Sequence, residues 1–182
     1  MKQIKHYIII GIFFVIITGS LAHFLYDWSG NHYIVGLFVP INESIWEHMK
    51  LLFFPMLIYS AVMTFMFKDQ YPCITSSLFF GIFTGTLLIP LLFYLYTFII
   101  GKDIFILDIG IFILSVIIAF WLSCKLTHSC KSERYAFLLR SLMCILLICF
   151  MLFTYHPPGL AIFQDPAIAQ TGSSSFPSKP YP

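Results

Sequence analysis

Apolar residues fill five long stretches of the chain, and each stretch is long enough to cross a membrane as a helix. The stretches lie at about residues 7–26, 45–67, 76–100, 104–124 and 135–155. A helix of about 20 mostly apolar residues spans the hydrocarbon core of a bilayer, and a backbone in lipid must satisfy its hydrogen bonds within its own segment. The pattern predicts an all-α polytopic membrane protein: one transmembrane domain, residues 1–163, built as a bundle of about five helices.

Polar and turn-forming residues separate these stretches. Residues 27–31 and 101–103 contain glycine and charged groups, and His156-Pro157-Pro158-Gly159 ends the last stretch. Proline lacks the backbone N–H that a continuing helix needs. Residues 164–182 are rich in serine and proline, and we expect them to form a flexible extracytoplasmic tail.

Composition and charge agree with a multi-pass membrane protein. The chain is 59% hydrophobic and 10% charged, whereas a soluble domain carries about 25% charged residues. A net charge of +2 is too small to indicate a nucleic-acid partner, so the partner that we expect is membrane lipid. Basic residues in short loops mark the inner side, and they favour an inner N-terminus and an outer C-terminus. The inner side would hold Lys2, Lys5, Lys68, Lys125, Lys131 and Arg134, and the outer side Lys102 and Lys179.

Cysteine and glycine positions add two expectations. Cys73, Cys124 and Cys130 fall in or near the inner loops, and no cysteine falls in an outer loop, so we expect no extracellular disulfide framework. Gly81 and Gly85 form a GxxxG pattern, which permits close helix contact either within the chain or between copies in a homo-oligomer.

Polar side chains gather at the predicted outer edge, most densely in the run PINESIWEHMK at residues 40–50. Ionisable groups at the edge of a membrane segment are costly, and function is the first hypothesis for them. His23 and Asp27 are four residues apart and share a helix face. Lys50 lies deep enough to need a partner, and Glu47 is the nearest in sequence.

Structural explanations also exist for these groups. Ser44 and Glu47 have the spacing of a capping box, and Glu43 would favour the positive end of the same helix. Asp108 lies about one turn into an apolar helix, where it would form a structural ion pair with Lys50 or Lys102.

A metal site is the sharpest chemical hypothesis for this edge. Histidine and carboxylate side chains suit zinc and similar divalent ions, and the sequence offers the candidate ligands His23, Asp27, Glu47, His48 and His156. Glu43 is then a candidate base. The candidate catalytic residues are Glu43, Glu47, His48 and Asp108. The chain contains no HExxH, GxSxG or dinucleotide-binding motif.

Three stretches carry a resemblance: HFLYDWSGN, VGLFVPINESIWEHMKLLFFPM and FTYHPPGLAIFQDP. They resemble a family of small multi-pass membrane proteins of bacteria, common in Firmicutes of the gut, that is known only as a domain of unknown function. The stretch containing NESIWEH is the most specific. The resemblance implies a bacterial cytoplasmic membrane and about five helices, and it implies no activity, substrate or catalytic residue.

Three functions therefore remain open. The first is a non-catalytic accessory, sensor or assembly protein in which the polar groups lock the helices together. The second is an outward-facing membrane enzyme, metal-dependent in one version, that acts on a lipid or envelope substrate. The third is a transporter or channel for a small solute. The sequence does not decide whether the protein is an enzyme.

Overall fold

Long helices account for most of this computed structural model, which describes the backbone of residues 2–165 and the side chains from residue 4 onward. The helices are α1 (Lys2–Trp28), α2 (Tyr33–Gly36), α3 (Ile45–Phe67), α4 (Ile74–Ile100), α5 (Phe105–Ser129) and α6 (Ala136–Tyr155). Two 3₁₀ turns lie at Glu133–Tyr135 and Ala161–Phe163. The described residues contain no β-strand. The predicted tail lies outside the described residues from residue 166 onward.

Five of the helices are long and apolar enough to cross a membrane, which confirms that part of the prediction. The bounds of α3 are those that the apolar pattern predicted. Helix α5 continues beyond Cys124 to Ser129, so the polar residues after Cys124 extend the helix instead of beginning the loop. The helix ends where Cys130 takes a left-handed conformation, with φ 52°.

Helix α3 is the centre of the bundle. In its most apolar window 61% of the residues are buried, against 22–39% in the other four long helices. A central helix touches protein on most of its sides, so the polar groups in its first turn lie against several neighbours. The helices around α3 instead expose large apolar side chains such as Phe13, Phe98 and Phe137, as expected of surfaces that face lipid.

Helices α4 and α5 pack closely through the GxxxG pattern. A Cβ atom on Gly81 would lie 2.5 Å from the carbonyl oxygen of Ala119, and one on Gly85 would lie 2.7 Å from the Ala119 Cβ. Both distances are shorter than van der Waals contact. The two glycines therefore serve a contact within the chain, and this contact explains their spacing without a second copy.

A disulfide joins Cys73, just before α4, to Cys130, just after α5. The cysteine pattern predicted no disulfide framework on the outer side, and this bond lies at the opposite end of the bundle from the PINESIWEHMK run. Serine hydroxyls surround it: Ser77 donates to the Cys73 carbonyl (2.7 Å) and also lies 2.9 Å from the Ser132 hydroxyl. This cross-link holds together the α4 and α5 ends that the charge pattern assigns to the inner side.

Candidate metal centre

Three side chains from different parts of the chain meet at the mouth of the bundle. His23 lies in the last part of α1, Glu43 in the loop before α3, and His48 in the first turn of α3. Glu43 Oε2 lies 3.5 Å from His23 Nε2 and 3.4 Å from His48 Nε2. One ligand atom from each residue lies within 4.8 Å of those of the other two. The arrangement is a compact set of two imidazoles and one carboxylate.

The start of α3 sets the positions of Glu43 and His48. Ser44 is the N-cap, and its hydroxyl accepts from the Glu47 backbone N–H at 3.4 Å. Asn42 Oδ1 accepts from the Ser44 N–H at 2.9 Å, which fixes the turn before the helix. Residues Asn, Ser and Asp are favoured at such positions because their side chains satisfy the free N–H groups of a helix start. The cap leaves Glu43 outside the helix and His48 one turn within it.

The backbone also determines which ring nitrogen of His48 can bind a cation. His48 Nδ1 lies 2.9 Å from the carbonyl oxygen of Ser44. A carbonyl can only accept, so Nδ1 must carry the proton. In the neutral ring, Nε2 then has a free lone pair that points toward Glu43. Metal-ligating histidines are commonly oriented by this kind of bond from the other nitrogen.

The distances to Glu43 match the distances between ligands of one metal ion. Hydrogen bonds between a charged N–H and a carboxylate are about 2.7–2.9 Å long, shorter than the two contacts here. Ligand atoms about 2.1 Å from a tetrahedral zinc lie about 3.4 Å from one another. The spacing of 3.4–3.5 Å therefore matches two edges of a zinc tetrahedron.

Glu43 is ionised and reachable from outside the bundle. Without a metal, hydrogen bonding to the His23 imidazole, followed by that to His48, lowers the pKa of the Glu43 carboxyl well below its ordinary value. Its side chain is 57% exposed, whereas that of each histidine is 28% exposed. Catalytic zinc sites typically combine three protein ligands with a fourth position open to water or substrate. The exposed side of Glu43 provides room for that position.

A cavity of about 480 Å³ opens beside the three side chains. His23, Glu43 and His48 form part of its wall, and two further carboxylates, Asp103 and Asp108, also line it. Tyr96 donates a 2.5 Å hydrogen bond to Asp108 Oδ1. The cavity is thus lined both by the candidate metal centre and by Asp108, a carboxylate whose position is fixed by a hydrogen bond.

Glu47 and Lys50 form a separate buried pair. Lys50 Nζ donates to Glu47 Oε2 at 2.8 Å, and their side chains are 0% and 2% exposed. Lys50 also donates to the Gly36 carbonyl (3.0 Å) and the Thr154 hydroxyl (2.6 Å). Glu47 accepts from the Ile41 N–H at 3.1 Å. Successive residues of a helix point about 100° apart, so Glu47 points into the bundle when His48 points toward Glu43. Glu47 was a predicted metal ligand and catalytic candidate. Lys50 pairs with Glu47, and Asp108 pairs with Tyr96 instead of Lys50.

Two further predicted ligands also lie apart from the centre. Among the described residues, the group able to hold a metal contains neither Asp27 nor His156. Asp27 lies one turn beyond His23 and is exposed, and His156 is exposed at the end of α6. Of the five predicted ligands, the structure brings together His23 and His48, and Glu43 joins them in place of a second residue from α3.

Asp165 belongs to the polar groups expected at the outer edge but was not predicted to contact the site. Its Oδ2 atom accepts from the Glu43 backbone N–H at 3.3 Å, so the chain returns to the site after α6. The two residues are 122 positions apart, and no local pattern marks the contact. The aromatic ring of Phe163 supports this return by lying 4.8 Å, centroid to centroid, from that of Trp46 in α3.

Comparison with known proteins identifies the family. A family model described as "Family of unknown function (DUF6512)" matches residues 1–173. The chain belongs to this family. No curated protein and no solved structure matches the chain. Membership of DUF6512 agrees with the resemblance drawn from the sequence and assigns no activity, so the function must be argued from the site.

Proposed function

We propose that this DUF6512 protein is a metal-dependent membrane hydrolase that holds a divalent ion of the zinc class on His23, Glu43 and His48. One observation carries the proposal: two imidazole Nε2 atoms converge on a single carboxylate oxygen at the ligand spacing of a zinc tetrahedron. Two histidines and one glutamate are also a ligand set that catalytic zinc sites use.

The bound ion would supply a positive charge that acidifies a water molecule and polarises a carbonyl group. Asp108, in the same cavity, is the residue that we assign as base. It takes a proton from the water, whose oxygen then forms a bond to the carbonyl carbon of an ester. The carbon–oxygen bond to the alcohol breaks, and the proton on Asp108 passes to the departing alkoxide. The products are a carboxylate, which releases its remaining proton, and an alcohol.

The hydrogen bond from Tyr96 supports this role for Asp108. It occupies Oδ1 at 2.5 Å and fixes the carboxylate at the cavity wall, which leaves Oδ2 available for the water. A carboxylate whose position is already fixed loses less conformational freedom when it accepts a proton. A general base has to be positioned in this way. Glu43, the base in the sequence hypothesis, is a ligand in this scheme.

We further propose that the protein lies in a bacterial cytoplasmic membrane with its N-terminus inside and the metal centre at the outer surface. The excess of basic residues at the opposite end of the bundle supports this orientation. An accessory role, the first expectation from the sequence, is supported by the buried Lys50–Glu47 pair, which joins α3 to the α2 segment and to α6. That pair does not require the three side chains of the metal centre.

Metal binding is the direct test. Purified protein stripped with a chelator should take up one equivalent of Zn²⁺ in calorimetry, and His23→Ala and His48→Ala should each bind at least about 10-fold more weakly. His32→Ala is the matched control, because His32 is exposed in the loop after α1 and belongs to no metal-ligand group of the described residues. Absence of Zn²⁺ uptake by the wild-type protein would overturn the proposal.

Hydrolysis is tested with the same proteins on p-nitrophenyl esters. Wild-type protein loaded with Zn²⁺ should release p-nitrophenol, and a chelator should abolish the release. Asp108→Asn should keep its Zn²⁺ and lose turnover by about 100-fold or more, since a positioned base typically contributes 10²–10⁴-fold. Unchanged turnover of this variant would remove Asp108 from the mechanism.

A further inference from the structure

The cavity beside the metal centre has two kinds of wall. One end carries the polar groups His23, Glu43, His48, Asp103 and Asp108. Apart from Ser20, the other wall residues are apolar, and they include Phe24, Phe93, Phe105, Ile109 and Phe112.

The apolar part of the cavity borders the lipid-facing surface. Three of its wall residues, Phe24 (53%), Phe105 (75%) and Ile109 (44%), are largely exposed on the outside of the bundle. They come from α1 and α5, so the cavity lies against both helices and reaches their outer surfaces. A molecule in the bilayer can therefore enter from the side, without first dissolving in water.

Energetics favour an acyl chain as the occupant. A chain that moves from lipid into an apolar cavity stays in similar surroundings, so little hydrophobic free energy is gained or lost. Away from the polar groups, a small polar solute would have to leave water and contact aromatic walls without hydrogen bonds, which costs free energy. A volume of about 480 Å³ is that of a pocket for one small ligand, which fits one chain.

We propose that the cavity is the seat for one acyl chain of a membrane ester lipid, which enters between α1 and α5 and places its ester group at the polar end. The position of the ester rests on the proposed hydrolase function. The chain seat itself is formed mostly by apolar residues and does not need the metal.

Photocross-linking tests the seat directly. The probe is a palmitate ester with a diazirine near the end of its chain, added to the full-length protein after delipidation and transfer to an amphipol, so that no bulk ester lipid occupies the seat. Peptides that carry Phe93, Ile109 or Phe112 should be labelled inside the cavity. Excess unlabelled methyl palmitate should reduce this labelling by at least about fivefold, because the seat holds one chain, and labelling that does not compete would overturn the proposal.

Matched substitutions separate the cavity from the surrounding lipid surface. Ile109→Trp fills the cavity and should reduce the competed labelling to a fifth or less. Ile106→Trp is the control and should keep that labelling, because Ile106 lies one turn away, is 76% exposed and is not part of the cavity wall. Ser20→Trp, on the α1 side of the wall, is a second closing variant for the case in which Ile109→Trp does not fold. Equal labelling of a folded closing variant and the Ile106→Trp control would overturn the seat.

The two proposals fail separately. Competed labelling should persist in the chelated protein and in His48→Ala, because neither change alters the apolar wall. Labelling without Zn²⁺ uptake would retain the chain seat and reject the hydrolase. Zn²⁺ uptake and ester hydrolysis with no competed labelling would retain the hydrolase and reject the seat.

Discussion

Lys50 and Glu47 form an ion pair of 2.8 Å within α3, and both side chains are buried. The same ammonium group binds the Gly36 carbonyl, so the pair also ties the segment between α1 and α3 to the bundle. Removing one member leaves the other charge buried and uncompensated, which typically costs about 3–5 kcal/mol. The pair is therefore a structural lock close to the metal centre but separate from it.

Breaking this lock should destabilise the protein more than replacing it. Lys50→Met should lower the free energy of unfolding by about 3–5 kcal/mol, and the double variant Lys50→Met/Glu47→Leu should recover part of that loss, because no charge is left buried. Thermal unfolding in detergent measures both. Lys68→Met, an exposed position at the end of α3, is the control. Equal melting temperatures of the single and double variants would contradict the uncompensated-charge explanation.

The ligand set of the structure differs from that of the sequence, and substitution separates the two. Glu43→Gln should weaken Zn²⁺ binding by about 100-fold or more, since losing a direct ligand should cost at least as much as losing its supporting contacts. Asp27→Asn and His156→Ala should bind Zn²⁺ as the wild type does. Calorimetric titration of the three variants with Zn²⁺ tests this prediction. A large loss in Asp27→Asn with none in Glu43→Gln would restore the sequence hypothesis.

The close contact between α4 and α5 should tolerate no side chain at Gly81. A Cβ there would overlap the Ala119 carbonyl, so Gly81→Leu must push the helices apart and should destabilise the fold by about 1–3 kcal/mol or more. Gly110→Leu is the matched control in α5, since a Cβ at Gly110 would have no neighbour within 4 Å among the described residues. Comparable melting temperatures of the two variants would show that this helix contact is not tight.

The state of Cys73 and Cys130 in cells tests the proposed orientation. An inner position places them in a reducing compartment, where a lasting disulfide is rare. We therefore expect the exposed thiol of Cys130 to be alkylated by a membrane-permeant maleimide in growing cells and to be protected in the oxidised purified protein. Purified protein reduced with dithiothreitol is the positive control, because its Cys130 should be alkylated. Persistent protection in cells would mean that this end of the bundle faces an oxidising compartment, and the orientation would be reversed.

The long helices could be predicted from the sequence because each depends on a local property. An uninterrupted apolar run and a serine N-cap are enough to place the start of α3 at Ile45. The candidate metal centre depends on contacts between distant residues, and only some of its residues were predicted as ligands. His23 and His48 were candidates because of their chemistry, whereas Glu43 lies in a loop whose path is set by Asn42 and Asp165.

Two other features show the same limit. Helical spacing relates Glu47 to Lys50, and the structure contains that pair, but spacing does not reveal which side of α3 faces the interior and so left Glu47 among the candidate ligands as well. The Cys73–Cys130 bond joins residues 57 positions apart, and it forms because α4 and α5 pack side by side. Packing of this kind depends on the pairing of helices, which the apolar pattern alone does not specify.

The hydrogen bond between Asp165 and the backbone of Glu43 connects the end of the last described segment to one proposed ligand. Pulling force or bulk introduced just behind Asp165 would be transmitted to the loop that carries Glu43. Purification handles and fluorescent reporters therefore belong at the N-terminus, which starts at the far end of α1. A fusion made directly after Asp165 would instead disturb the loop that carries Glu43 and weaken the proposed metal site.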